Sequence, residues 1–368
     1  MKILIITPYF FEPHRWMISA YKTALALSKK HEVVVLTAGK EKFKKINKNL
    51  TVYGMWDIFL PDPVNYSIVP GLLFHILKVI KKENPDQIIV SKFMFYTSFS
   101  IFWLRLMGKK VITVTDTFPG INWFPKNKFV KIIMWLYARV IGLPLLKISN
   151  KIVLLHEDLE NVAKKYRLPY SVIHNGVDID IIQKAQPIES LNLKNKIKVA
   201  YIGRLESVKG YTDLLKVAEK ITKINKDVVF YFVGNSIGKE DIIEKYQSNQ
   251  IIFLGHREDV ASILKSSDIF ALTSYSEGLP NSLMEAMAAG LACISSNVGG
   301  VKILLKNDAN GLTYKAGDLK ELENKLIILI KDPALRKRIG DQASKTIRDS
   351  FSLDSTAMQY ERLFQEMK

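Results

Sequence analysis

Apolar runs of strand length alternate with segments of helical spacing along the whole of this 368-residue chain, and that alternation restricts the fold to parallel sheets wrapped by helices. Lys2-Ile-Leu-Ile-Ile-Thr7 stops at Pro8, Ala20 to Lys30 carries Ala and Leu at helical spacing, and His31-Glu-Val-Val-Val-Leu-Thr37 follows as a second strand. Residues 87–90, 110–114 and 151–155 repeat the pattern as buried parallel strands. A second series, at 198–202, 228–233, 251–254, 269–272 and 292–295, begins after the polar stretch Gln183 to Ser190, read here as a linker. The expected fold class is therefore α/β, with two Rossmann-like doubly wound parallel-sheet domains facing across a cleft. The first is expected over 1–182 and the second over 183–349, with a helix at 350–368 packing back on the first.

The length agrees, being too great for one ordinary hydrophobic core. Cys293 is the only cysteine, so the chain forms no intramolecular disulfide and no cysteine-based zinc site, which fits a reducing cytosol. The apolar run that ends at Pro8 is too short and strand-like for a signal peptide or spanning helix. The formal charge of +17 is lopsided: residues 1–182 hold 26 Lys and Arg against 13 Asp and Glu, a net +13, which leaves +4 for the remainder. All five tryptophans (Trp16, Trp56, Trp103, Trp123 and Trp135) also lie in the first half.

Open parallel sheets bind ligands beyond the carboxyl ends of their strands, so the loops there are where chemistry is sought. Gly203-Arg204 and Lys209-Gly210 sit in one strand-to-helix loop. Glycine admits close backbone approach, and the two cations suit a diphosphate, Arg as a fork and Lys as a point charge. The plainer alternative is a polar loop with surface charges. After the strand at 269–272 comes Glu277-Gly278-Leu279-Pro280-Asn281-Ser282, then Glu285 within a helical pattern. With Pro280 in the first helical turn, the amides of about 278–282 form an anion site, and the two carboxylates suit vicinal sugar hydroxyls. Both glutamates could instead merely complement the helix dipole. Apolar Leu283, Met284, Ala286 and Met287 around Glu285 argue that it is partly buried and needs a partner.

Asn175-Gly-Val-Asp178, Gly203-Arg204 with Lys209-Gly210, Glu277-x7-Glu285 and Gly299-Gly300 together resemble the retaining GT-B glycosyltransferases of family 4, also called group 1. The resemblance covers essentially the whole chain and is most specific over 172–312. It implies a nucleotide-sugar donor, no cofactor and no obligatory metal. It also implies that Arg204 and Lys209 bind the donor diphosphate, that Glu285 holds the ribose hydroxyls, and that Glu277 with the amides following it addresses the transferred sugar. Fixed cations and amides aimed at a departing diphosphate favour the transition state. No protein nucleophile is nominated, and Asp178-Ile-Asp180 is not expected to hold metal.

Two departures from the family pattern stand out. Many members place a histidine before the aspartate that matches Asp116, where this chain has Thr115. Asp116 is kept as a candidate for orienting donor sugar or acceptor, beside a reading as a loop or cap residue. The first loop, Pro8 to Met17, carries Arg15 and Trp16 where paired glycines are common; these side chains either read an acceptor or cover the sheet. His14, His156 and His174 show no metal-ligand spacing and are read as structural.

Phe93 to Met107 and Phe129 to Leu146 are rich in aromatic and aliphatic residues and dotted with Lys and Arg. Gly142-Leu-Pro144 is expected to break the second segment. Either they are core helices, or they form an interfacial patch that meets an anionic membrane on the cytoplasmic side and a lipid-linked or glycolipid acceptor. Rival readings are a sugar-nucleotide epimerase of the same fold and a non-catalytic partner subunit. A nucleic-acid module is motivated by charge alone, with no matching motif, so no nucleic-acid partner is expected.

Overall fold

The structure is a computed structural model that describes residues 1–10, 18–39, 43–60, 66–92, 96–122, 128–191 and 193–367. His14, Arg15, Trp16, Phe93 and Trp123 lie outside them. The chain divides into two compact units, Met1–Gly176 with Leu353–Lys368, and Val177–Ser352.

The strands of the first unit are β1 (Lys2–Thr7), β2 (Glu32–Ala38), β3 (Lys44–Asn47), β4 (Leu50–Met55), β5 (Ile58–Leu60), β6 (Tyr66–Ile68), β7 (Gln87–Ser91), β8 (Ile112–Thr115), β9 (Lys151–Leu154) and β10 (Tyr170–Val172). Eight of them form one sheet in the order β10-β9-β8-β7-β1-β2-β4-β3, parallel throughout except where β3 meets β4. Val33, Val34, Val35 and Leu36 are all buried, as a strand covered on both faces requires. The helices between are α1 (Ile18–Ser28), α2 (Leu72–Glu83), α3 (Ser98–Leu106), α4 (Lys128–Tyr137), α5 (Leu143–Ile148) and α6 (Glu160–Lys165).

The break expected at Gly142-Leu-Pro144 does not occur. A five-residue π-helical stretch, Ala138–Gly142, joins α4 to α5, so that helix runs unbroken over Lys128–Ile148. The wider turn lets the Leu143 N–H bond Ala138, and Pro144 falls in the first turn of α5, where its missing N–H costs little. By length and composition this helix could cross a membrane. None of the α4 residues is buried.

The second unit contains α7 (Ile179–Lys184), β11 (Ile197–Ile202), α8 (Tyr211–Ile224), β12 (Val228–Val233), α9 (Glu240–Tyr246), β13 (Ile251–Gly255), α10 (Val260–Lys265), β14 (Ile269–Leu272), α11 (Asn281–Ala288), β15 (Ala292–Ser296), α12 (Val301–Leu304), β16 (Leu312–Tyr314), α13 (Leu319–Lys331) and α14 (Pro333–Ser350). Its sheet is wholly parallel, in the order β13-β12-β11-β14-β15-β16. The unit starts at Val177 rather than 183. The Asp178 carboxylate caps α7 by accepting from the N–H groups of Asp180 (3.1 Å) and Ile181 (3.3 Å), and Ile182 is buried in this unit's core. The stretch read as a linker is therefore tied down inside the unit, where the Ile188 N–H donates to Ser266 Oγ at 2.7 Å.

After α14 the chain enters α15 (Leu353–Glu366), which belongs to the first unit. Tyr360, Leu363 and Phe364 are buried with Ala24 and Leu27 of α1. The Lys29–Asp354 ion pair (3.1 Å) and a hydrogen bond between His31 and Glu361 (3.0 Å) flank that contact.

Candidate functional site

In the second unit the strand order reverses between β11 and β14: successive strands run outward through β12 and β13 on one side, and through β15 and β16 on the other. The loops that leave these two neighbours must diverge, and the crevice between them is where an open α/β sheet receives ligands. Residues 203–210 leave β11 and residues 273–280 leave β14, so the topology brings together the two segments singled out from sequence.

These loops lock together. Gly210 has φ +61°, and a Cβ there would collide with the Thr273 carbonyl. In return, Thr273 Oγ1 donates to the Gly210 carbonyl at 2.8 Å and the Tyr275 N–H to Val208 at 2.8 Å. Gly299 has φ +45°, and a Cβ on it would collide with the Glu277 carbonyl; beside it the Gly300 N–H donates to Gly278 at 2.9 Å. From the sequence, both glycines of the 203–210 loop, Gly203 and Gly210, are expected to admit a ligand. The structure shows Gly210 and Gly299 admitting neighbouring loops, which fixes the loop that carries Glu277.

Lys209 ends a single 3₁₀ turn, Ser207–Lys209, and its ammonium donates to both Glu277 carboxylate oxygens at 2.8 Å. Ser274 Oγ donates to Glu277 Oε1 at 2.6 Å. The Glu277 side chain is 8% exposed and that of Lys209 20%, so this pair is held away from bulk water. Two of the three ammonium N–H groups are committed to Glu277, which leaves one for a ligand oxygen. Arg204, by contrast, extends outward, 67% exposed, and meets Glu206 at 2.8 Å. The structure thus brings Lys209 and Glu277 into contact and leaves Arg204 apart, on the same loop.

Pro280, expected in the first helical turn, is the residue just before α11. The Met284 N–H bonds the Pro280 carbonyl at 3.1 Å, so the amides of Ser282 and Leu283, earlier in the first turn, have no acceptor within the helix. Glu285 lies one turn further on, half-buried between buried Leu283, Met284, Ala286 and Met287. Beneath the site, Tyr201 is buried and donates to the Arg204 carbonyl at 3.0 Å; burial, reinforced by the Glu277 charge, pushes its hydroxyl pKa well up.

Asp116 lies in the first unit, just after β8. Its carboxylate pairs with Lys92, which follows β7, and its carbonyl contacts His156 Nε2 at 3.0 Å. Sequence reasoning nominates neither Lys92 nor His156 as a site residue. Their only signal there is position, one residue past β7 and two past β9. Asp178, of the Asp178-Ile-Asp180 triplet, acts as a helix cap.

Two family models match consecutive parts of the chain: Glycosyltransferase Family 4 over residues 18–181 and Glycosyl transferases group 1 over residues 183–346. A UDP-Gal:alpha-D-GlcNAc-diphosphoundecaprenol alpha-1,3-galactosyltransferase from Escherichia coli is 32% identical over 311 residues, which is 75% of this chain and 78% of the relative. An N-acetyl-alpha-D-glucosaminyl L-malate synthase from Bacillus anthracis is 27% identical across 92% of this chain and 90% of its own. Among solved structures, a glycosyltransferase from Rickettsia africae superposes with a TM-score of 0.76 at 19% identity, covering 99% of this chain and 98% of its own. HepE from Anabaena, solved with UDP, superposes with a TM-score of 0.75 at 16% identity over 100% of both chains. The chain belongs to glycosyltransferase family 4 (group 1) and is a glycosyltransferase of the GT-B fold.

Proposed function

We propose that this glycosyltransferase moves a sugar from a nucleoside diphosphate sugar to a hydroxyl of a lipid-linked sugar or glycolipid, with the anomeric configuration retained and no obligatory metal. The observation that carries the reading is the Lys209–Glu277 pair at the β11/β14 reversal, beside the first-turn amides of α11. The anomeric bond breaks as negative charge gathers on the diphosphate. A cation fixed by its own carboxylate and amides already set at a helix N-terminus need no reorganisation to receive that charge. In this reading Lys209 and Arg204 hold the diphosphate, Glu285 the ribose, and Glu277 with Gly278 and Leu279 the transferred sugar. The acceptor hydroxyl loses its proton to the departing phosphate oxygen, and Asp116 orients donor sugar or acceptor in the first unit.

The acceptor class draws support from the E. coli relative, whose name places GlcNAc on diphosphoundecaprenol. It also draws support from the surface of the first unit. Phe102 and Leu106 on α3, and Phe129, Ile132 and Leu136 on α4, are exposed, and the rings of Phe99 and Tyr137 meet at 6.2 Å to join the two helices into one apolar face. A patch of this kind marks an interaction surface. Lys128, Lys131 and Arg139 lie along it, within the part of the chain that carries net +13, so the complementary partner is an anionic bilayer on the cytoplasmic side.

Thermal-shift screening against UDP-, GDP- and ADP-sugars, followed by turnover with short-chain polyprenyl diphosphate sugars and NMR of the product, tests the chemistry. Stabilisation by one nucleotide class and an unchanged anomeric configuration are expected; inversion would refute retention. Vesicle flotation tests the surface: recovery with anionic liposomes, reduced by replacing Lys128 and Lys131, is expected, and equal recovery with neutral liposomes would refute it.

A further inference from the structure

Three parallel neighbours of the first unit, β7, β8 and β9, each place one polar residue just beyond the carboxyl end: Lys92, Asp116 and His156. Lys92 is buried and holds φ +71°, a left-handed backbone that a non-glycine residue adopts at a cost of order 1 kcal/mol. Its N–H donates to Val114 at 2.8 Å and its ammonium pairs with the Asp116 carboxylate, which fixes the turn after β8. A backbone carbonyl can only accept, so the 3.0 Å contact with Asp116 means that His156 Nε2 carries the proton. In the neutral ring Nδ1 is then an acceptor. It is buried and has no hydrogen-bond partner, the Asp158 carboxylate at 3.9 Å being out of range and itself an acceptor.

Two more buried acceptors lack donors: Glu157 Oε2, the next residue in the chain, whose other oxygen meets His174 at 3.0 Å, and Asn175 Oδ1, just beyond β10, the strand paired with β9. Orphaned acceptors are costly, about 1–3 kcal/mol each. Three of them beyond two adjacent strands call for a ligand rich in hydroxyl or amide N–H donors.

We propose that the strand ends of β8, β9 and β10 form a hydroxyl-binding subsite in which His156 Nδ1 accepts a hydrogen bond from a hydroxyl of the acceptor sugar. This rests on the function proposed above, in which the first unit takes the acceptor. Asp158, whose side chain is 62% exposed, turns into solvent as the hydroxyl arrives. His156 thereby supplies, from the strand beside it, an imidazole at a sheet edge whose own turn carries Thr115 before Asp116.

The test separates the two ring nitrogens. His156→Asn keeps an acceptor near the position of Nδ1 and loses the reach to Asp116, whereas His156→Gln keeps the donor at the position of Nε2 and loses the acceptor. With N-acetylglucosaminyl-diphospho-farnesol as acceptor, His156→Gln is expected to raise the acceptor KM at least tenfold with donor KM unchanged, and His156→Asn to stay within a few-fold of wild type. The reverse order would overturn the assignment and make His156 a prop for the Asp116 turn. Should neither variant fold, NMR of the wild-type protein with ¹⁵N-labelled histidine decides: the same acceptor shifts the His156 Nδ1 resonance if the assignment holds, and no shift overturns it. A wild type that binds this acceptor but transfers no sugar to it counts against the proposed function and leaves the NMR result to stand.

Discussion

Replacing Lys209 by methionine keeps the stem of the side chain and removes the ammonium, and the surroundings of Glu277 set the cost. Glu277 would remain 8% exposed, with Ser274 as its other hydrogen-bond donor. Removing one partner of a buried ion pair costs about 3–5 kcal/mol; because Lys209 is itself 20% exposed and water can reach the gap, about 2–3 kcal/mol is the fitting figure. For a unit of this length each kcal/mol moves the melting midpoint by about 2–4 °C, so a fall of about 4–12 °C is expected. Changing Glu277 to glutamine in the same molecule removes the stranded charge and keeps the Ser274 bond. The double variant should recover most of the loss, with a coupling of at least about 1 kcal/mol in urea denaturation followed by circular dichroism. Turnover should not recover, because the cation that meets the diphosphate is still missing: both variants should be at least about tenfold slower, a loss of about 1.4 kcal/mol of transition-state stabilisation. Stability effects that simply add within about 0.5 kcal/mol would refute the pairing argument. Wild-type turnover in a folded Lys209→Met protein would refute the catalytic one.

Glu285→Ala should lower kcat/KM for the donor at least about tenfold, chiefly by raising donor KM, with little change in melting because the side chain is only half-buried; unaltered kinetics would remove it from the site. Gly299→Ala forces a Cβ against the Glu277 carbonyl in a left-handed backbone, so a loss of more than about 2 kcal/mol and weakened donor binding are expected in denaturation and thermal-shift measurements. A melting midpoint at the wild-type value would show that the two loops do not lock. Chelation with EDTA should leave turnover unchanged, since the charge on the diphosphate is met by Lys209, Arg204 and amides; abolition reversed by a divalent cation would contradict this.

The strands legible in the sequence are those buried on both faces, such as β2 and β12, where unbroken Val, Ile and Phe runs leave no other reading. β4, β10 and β16 do not stand out there: they are short or only half-buried, and β10 and β16 lie at sheet edges, so neighbours rather than composition make them strands. Lys209 and Glu277 are each visible, but their contact spans 68 residues and comes only from the strand order. The role of Gly299 is hidden for the same reason: what it admits is another loop. The linker reading fails because polarity at 183–190 says nothing of the cap at Asp178 or the bond from Ile188 to Ser266. Lys92 and His156 give no functional signal in the sequence because single residues past strand ends carry no pattern until the sheet aligns them.

In the proposed chemistry the second unit holds the leaving diphosphate at the β11/β14 reversal. A crystal structure of the protein with the nucleoside diphosphate selected by the thermal-shift panel tests it most directly. Phosphate oxygens are expected within hydrogen-bond distance of Lys209 Nζ and of the amides of Ser282 and Leu283, with the ribose at Glu285. A diphosphate bound on the first unit, or away from those amides, would contradict it.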